Sequence, residues 1–328
     1  MQTNHIRRAA GLTRGRSIVL SLMACAILGA CTQAANTSAI DRERQKPVQR
    51  YDIGQAVASN GKVIVAGTQS GAALVSKDQG KSWTRTALGA ASLIDTAACG
   101  DGSFVAIDFY HKVWSADADG ANWKSVALSQ PKTPLAVTCD KQGGWWVSGI
   151  RSVIAASRDK GATWKVTDLG EDAQLTSIQF IDAKAGVALG EFGLTAYTED
   201  GGATWQKGAK IPGDFYPYAA LFINRQEGWV SGIAGQMMHT TDGGKSWQKQ
   251  PNLSQAALYR LFLHEGVPYG VGNGGTVARL EGDAWRAMPY PDAVPVFLGG
   301  GAPLRGQSAV LIAGPGGLLR AVGTTATQ

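Results

Sequence analysis

The chain reads as an all-β protein, a seven-bladed β-propeller of four-stranded antiparallel blades. Two recurrences and one absence lead there. Short apolar runs ending at Gly67, Asp108, Gly149, Gly190, Gly232, Gly272 and Gly314 follow one another at 41, 41, 41, 42, 40 and 42 residues, a period that belongs to propeller blades. Between them recurs an eight-residue unit, seen most fully at Thr240, Asp242, Gly244, Ser246 and Trp247. Helical periodicity is absent along the body.

The recurring unit has the pattern Ser/Thr-x-Asp-x-Gly-x-Ser/Thr-Trp, and its chemistry is that of a hairpin. The Asp accepts hydrogen bonds from backbone amides of its own turn, and Gly takes the positive φ that the turn requires. The Trp then packs beneath the loop. Copies occur with Asp78 and Trp83, Asp159 and Trp164, Asp200 and Trp205, and Asp242 and Trp247; Asp117 and Trp123 belong to a copy one residue longer, and 279–285 is a decayed sixth. These residues are expected to be structural. The run 117–120 imitates the start of a calcium loop but lacks the bidentate Glu at the required offset.

The N-terminus has a separate character. Arg7, Arg8, Arg14 and Arg16 precede an apolar stretch, 17–28, which is too short for a stable membrane span. Residues 1–30 therefore read as a signal peptide. The run ends in Leu28, Gly29, Ala30 and Cys31, which resembles the lipobox of bacterial lipoproteins. That resemblance implies a diacylglycerol on Cys31, and Thr32 in place of Asp implies the periplasmic face of the outer membrane. Residues 31–46 are polar and aperiodic, and are expected to form a flexible linker. The propeller domain is expected over 47–328.

In the fourth repeat, 175–180 reads as the innermost strand, 186–190 as the second, 194–198 as the third and 204–208 as the outermost. The last repeat, 294–322, ends after its third strand. Residues 47–51 are expected to supply the missing strand and lock the ring, removing an exposed edge.

Composition limits the function classes. The chain has 31 basic and 25 acidic residues; removing the four leader arginines leaves 27 basic ones, so nucleic-acid binding loses its electrostatic support. Cys99 and Cys139 close apolar strands at equivalent points of successive repeats, where a disulfide is conceivable, although such points are often too far apart to bridge. No nucleophile, paired-carboxylate or metal-ligand spacing appears, and no catalytic residue, metal or cofactor is expected. The glycine-rich runs 272–275 and 314–317 join strand to strand and read as β turns, not phosphate loops.

Gly186 to Gly190, or Gly228 to Gly232, followed by a short turn and the Asp hairpin, resembles the BNR or Asp-box propellers, most closely the Ycf48/Hcf136-like photosystem II stability and assembly factors. The resemblance covers 47–322. It implies a non-catalytic, envelope-anchored monomer that binds or helps assemble a membrane protein or complex. The alternative is a sialidase-like glycoside hydrolase, which also uses Asp boxes but needs a converging arginine triad; Arg85, Arg151, Arg225 and Arg260 fall at different blade positions. In a propeller the second-to-third-strand loops and the interblade connectors share the face opposite the Asp hairpins. Partner binding is expected there through Arg151, Phe192, Asp214, Phe215, Tyr216 and Tyr218, because 210–218 is the longest connector and concentrates aromatics.

Overall fold

The computed structural model describes residues 36–324. The expected signal peptide, 1–30, and Cys31 lie outside the described residues. The chain divides into a unit Met1–Lys46 and a unit Pro47–Gln328. The first contains a helix α1, Ser38–Gln45, with no buried residue, where the sequence reading expected an aperiodic linker. Asp41, accepting from Thr37 Oγ1 at 3.0 Å, and Arg42 and Arg44 in the last turn complement the helix dipole. Among the described residues no helix is long and apolar enough to cross a membrane.

The second unit consists of seven antiparallel sheets. Blade 1 is β1 Gly54–Ser59, β2 Ile64–Thr68, β3 Ala72–Ser76 and β4 Thr84–Ala87; blade 2 is β5 Leu93–Ala98, β6 Phe104–Asp108, β7 Lys112–Ala116 and β8 Lys124–Ala127. Blade 3 is β9 Pro134–Cys139, β10 Trp145–Gly149, β11 Val153–Ser157 and β12 Lys165–Asp168; blade 4 is β13 Leu175–Phe180, β14 Gly186–Gly190, β15 Thr195–Thr198 and β16 Gln206–Lys207. Blade 5 is β17 Pro217–Phe222, β18 Gly228–Gly232, β19 Met237–Thr240 and β20 Gln248–Lys249; blade 6 is β21 Leu258–His264, β22 Val267–Gly272, β23 Val277–Glu281 and β24 Ala284–Ala287. Blade 7 has three strands, β25 Gly300–Pro303, β26 Ala309–Ala313 and β27 Leu319–Gly323.

The glycine that ends the second strand of blades 3 to 6 has a packing reason. A Cβ on Gly149, Gly190 or Gly272 would stand 2.1, 2.2 or 1.9 Å from the carbonyl oxygen of Thr133, Gln174 or Ala257. These carbonyls belong to the connector arriving from the preceding blade, and each accepts the amide following the glycine, as Ile150, Glu191 and Asn273 show at 2.9–3.1 Å. The equivalent position in blade 1 is Thr68, not Gly67, since Thr68 faces Gly54 as Gly190 faces Leu175. In blades 1 and 2 side chains take over the capping. Thr68 Oγ1 accepts Ala72 N at 3.0 Å, and buried Asp108 accepts Tyr110 N, Lys112 N and Trp114 Nε1 at 2.8–2.9 Å.

The Asp hairpins form as their residues dictate. In the blade 5 copy, Asp242 Oδ1 accepts Ser246 N at 2.9 Å, Asp242 Oδ2 accepts Ser246 Oγ at 2.6 Å, and Thr240 Oγ1 accepts Gly244 N at 2.8 Å. Asp78, Asp159 and Asp200 repeat the pattern; Asp117 replaces the hydroxyl with Asn122 Nδ2 at 2.7 Å. The Trp does more than pack under its own loop. Trp205 joins Trp146 and Phe180 in a cluster spanning blades 3 and 4, and Trp247 joins Leu189 and Phe222 across blades 4 and 5. Trp285 of the decayed copy is fully buried between blades 5 and 6. Each Trp is therefore a wedge onto the preceding blade.

Ring closure differs from the expected arrangement. Residues 47–51 form no strand, and β27 has no fourth partner among the described residues. The segment instead folds as a turn against the β26–β27 loop, with Gly317 N donating to Asp52 O at 2.8 Å and Gly54 N to Gly314 O at 3.0 Å. Pro47 lacks the amide that a ladder requires, and buried Asp52 holds the turn by accepting Gln49 N at 2.8 Å, Ser70 Oγ at 2.8 Å and Arg85 at 2.8 and 3.1 Å. Cys99 and Cys139 are bonded, with Cα atoms 5.1 Å apart. Innermost strands converge on the axis, so equivalent points of neighbouring blades come within bridging distance there.

Two outcomes follow. Asp52→Ala should lower unfolding stability by about 3 kcal/mol, because it leaves the Arg85 guanidinium without its buried counter-ion; denaturant unfolding measures it. Side-chain hydroxyls, then backbone amides, hold the Asp78, Asp159, Asp200 and Asp242 carboxyls down at about 2. Depressed folded values mean that this stabilisation is complete above about pH 4 and is lost as pH falls through 2. Carboxyl-carbon NMR should give four midpoints near 2, with Ser246 amide exchange rising over the same interval.

Candidate functional site

Within a blade, the second-to-third-strand loop and the two interblade connectors lie at one end of the antiparallel strands. That face collects exposed apolar side chains. Phe109, Tyr110, Phe192, Ile233 and Leu253 are each about half exposed or more, and Val294 and Phe297 stand on the connector before blade 7. Isolated exposed apolar residues need no explanation; here several share one end of the blades.

The loops display their side chains from an unusual backbone. Arg151, Phe192 and Ala234 take φ of 57, 57 and 55°, where the equivalent residue of blade 6 is Gly274; His111 and Ser152, at 61 and 51°, hold the next position, which is glycine in blades 4 to 6. A non-glycine residue in this left-handed region is disfavoured, and such strain concentrates where a side chain must be presented. The loop is held from behind by the next connector. Ser152 N donates to Ala173 O at 2.7 Å, and Gly193 N to Phe215 O at 2.8 Å.

At the channel mouth, an extra residue bulges from six innermost strands: Gln55, Ile94, Leu135, Thr176, Tyr218 and Tyr259. Bulges re-aim side chains. Tyr216, Tyr218 and Tyr259 form an edge-to-face ladder with centroids 5.8 and 5.2 Å apart, running from the connector between blades 4 and 5 to blade 6. Burial, then the charge of Glu191, pushes the Tyr216 phenol up, so the ring stays a neutral donor. Below the ladder, Arg260 crosses from blade 6 to Asp95 of blade 2 at 3.2 Å and donates to Ile94 O at 3.2 Å. Burial pushes the Asp95 carboxyl up against the opposing pull of Arg260.

Of the sequence-predicted partner residues, Arg151, Phe192 and Asp214 are exposed and Tyr216 and Tyr218 half-buried. Phe215 is a correction. It is 1% exposed, packed with Leu189, Ile211 and Val230, and its ring occupies the space beside Gly232. Repeat arithmetic points to it through Ala91 and Ala173, which fill the same position and are also buried, although Lys132 at that position in blade 3 is exposed. The same arithmetic pairs Tyr218 with Tyr259, one repeat on; the exposed Ile233 and Leu253 carried no motif.

The four arginines weighed for a triad are not brought together. Arg85 is held by Asp52, Arg260 by Asp95, and Arg225 by Asp182 at 2.5 Å on the hairpin face, while Arg151 stands on the opposite face. A cleft of about 570 Å³ opens between the outer parts of blades 4 and 5, lined by Tyr197, Phe222, Arg225 and Asp242 among others. Asp200 and Asp242 there are engaged in their hairpins, Lys207 with Glu171 and Arg225 with Asp182, and burial pushes the Tyr197 phenol up to about 12. Among the described residues no cluster of three or more His, Cys, Asp or Glu could hold a metal ion.

The model of the photosynthesis system II assembly factor YCF48 family matches residues 115–207 and 163–258. A 33% identical stretch of 111 residues is shared with the photosystem II assembly lipoprotein Ycf48 of Synechococcus sp. (strain CC9902); it covers 32% of this chain and only 33% of that relative's length. Similar solved structures include YCF48 bound to D1 peptide, at 14% identity and TM-score 0.66 over 86% of this chain and 96% of that one. YCF48 from Cyanidioschyzon merolae is similar at 15% identity and TM-score 0.66, over 85% and 97%. Virginiamycin B lyase from Staphylococcus aureus shares the fold at 13% identity and TM-score 0.68, over 83% and 94%, so the propeller alone does not decide between binding and catalysis. With the recurring Asp hairpins and the matched family model, the chain is a Ycf48-like seven-bladed β-propeller.

Proposed function

We propose that this chain is a non-catalytic propeller, anchored in the cell envelope through a lipidated Cys31, that captures a membrane protein or an assembly intermediate of a membrane complex. The observation that carries the reading is the aromatic ladder of Tyr216, Tyr218 and Tyr259 on the same face as exposed Phe192, Tyr110 and Phe109. Tyr, Trp and Arg dominate interface hot spots, because rigid rings bury much area at little entropic cost. The similar YCF48 structure with a bound D1 peptide supports a membrane-protein partner, and the Synechococcus relative's description as a lipoprotein supports the anchor. Retention at the periplasmic face of the outer membrane, and action as a monomer, belong to the same reading.

In this mechanism the loops of blades 3 to 5 bind without rearranging. The connector carbonyls hold the left-handed residues in place, so Arg151 and Phe192 are presented before the partner arrives, which lowers the entropic cost of association. Tyr216 and Tyr218 supply flat faces and hydroxyl donors beside them.

Pull-down from detergent-solubilised envelope tests the reading. Phe192→Gly combined with Tyr216→Ala should reduce capture about thirtyfold or more, the loss of one hot spot, while the melting midpoint does not fall, since glycine relieves the left-handed strain. Phe215→Ala should instead destabilise the fold by about 3–5 kcal/mol. Capture that survives the double replacement would refute the face assignment. Turnover of a sialoside that is lost on arginine replacement would favour the hydrolase.

A further inference from the structure

The outer edge of blade 7 differs from every other outer edge. In blades 1 to 6 the outermost strands are two to four residues long, and the third strand beneath them is largely buried in blades 1 to 5 and buried at Val277 and Ala278 in blade 6. In blade 7 the third strand, β27, is itself the edge among the described residues. It is five residues long, Leu319, Arg320, Ala321, Val322 and Gly323, and only Val322 is buried. Short, charged edge strands discourage pairing; a longer and more apolar one invites it.

The register states which backbone groups face outward. Thr324 N donates to Ser308 O at 2.8 Å and Gly314 N to Leu318 O at 3.0 Å, and β27 pairs with β26 in that same register. Antiparallel pairing alternates. Arg320, Val322 and Thr324 therefore bond inward, while Leu319, Ala321 and Gly323 turn N–H and C=O away from the sheet.

The two flanks of this edge have different chemistry. On the blade 6 side, Arg279 Nη1 donates to Thr324 O at 2.9 Å, Arg286 lies opposite Arg279 on β24, and Arg320 stacks 5.3 Å above Tyr290. Arg279 and Arg286 share one acid, Glu281, which accepts from Arg279 at 2.6 Å and lies 3.7 Å from Arg286, while Arg320 donates only to the backbone carbonyls of Pro291 and Asp292, at 3.0 and 3.2 Å. On the blade 1 side, Leu319 packs with Trp83 in an apolar cluster.

We propose that the β27 edge is a second partner site, which takes an extended acidic-apolar segment of another protein as the missing fourth strand of blade 7. Strand addition draws affinity from main-chain bonds and specificity from alternate side chains. Here alternate residues of the guest meet arginines on one side and Trp83 with Leu319 on the other, so the guest alternates carboxylates with apolar side chains. The site is independent of the loop face proposed above.

The probe is a capped octapeptide alternating glutamate and valine, titrated into the full chain and followed by amide hydrogen exchange and Trp fluorescence. Expected results are slowed exchange at Leu319, Ala321 and Gly323 only. Binding should weaken about tenfold when alternate peptide nitrogens are methylated, through lost ladder bonds, and also in Ala321→Pro and Arg286→Glu. Phe192→Gly and Tyr216→Ala should leave it unchanged. If Ala321→Pro does not fold, the methylated peptide still decides. Binding that ignores methylation and vanishes with salt would reduce the site to surface electrostatics and overturn the proposal. Protection of these amides in the protein alone, whether or not it sediments as a dimer, would overturn it equally.

Discussion

Neighbouring blades meet where a glycine of one leaves room for an aromatic or branched side chain of the other, and the ring depends on that fit. A Cβ on Gly202 would stand 1.9 Å from the Trp146 ring, and one on Gly244 1.9 Å from the Tyr197 hydroxyl; on Gly161 it would meet Val126 at 2.4 Å. These glycines already have φ near +85° in the hairpin. One residue thus serves the turn and the blade contact together, and the adjoining Trp fills the volume beside it. Local hairpin chemistry and global ring geometry are the same constraint, which is the agreement between levels that lets a sequence specify one fold.

The axis obeys a different rule. Innermost strands crowd together, and their half-buried side chains must either pair or be small. Blade 7 solves this with Gly300, Gly301 and Ala302, and a Cβ on Gly301 would fall 2.7 Å from the Phe262 ring. Arg260 reaches past that narrow blade to carbonyls of blades 1 and 2. The Cys99–Cys139 bond sits on the same crowded layer and fastens blades 2 and 3.

The repeat count, blade boundaries and Asp-hairpin contacts were legible in the sequence, because each is written in local turn chemistry repeated at a fixed interval. The face bearing exposed aromatics was legible too, through the connectivity of antiparallel strands. What escaped was set by distance in space. Phe215 resembles an exposed loop aromatic until its place in the repeat is compared with Ala173. Cys99 and Cys139 seem far apart until the convergence of inner strands is considered. The 47–51 segment, expected as a strand, is bent by Asp52, whose partner Arg85 is 33 residues away.

Six of the seven blade junctions are crossed by the polypeptide itself. The junction between blades 7 and 1 is held only by contacts such as Gly54 with Gly314 and Gln79 with Arg305, the latter separated by 226 residues. Contacts of such separation carry the largest loop-closure entropy and form late. During synthesis, blades 1 to 6 can accumulate in order while the first strand waits for Gly314 to emerge. The ring is thus completed in one terminal step, and until then the apolar sides of blade 1 and the newest blade both remain open to water.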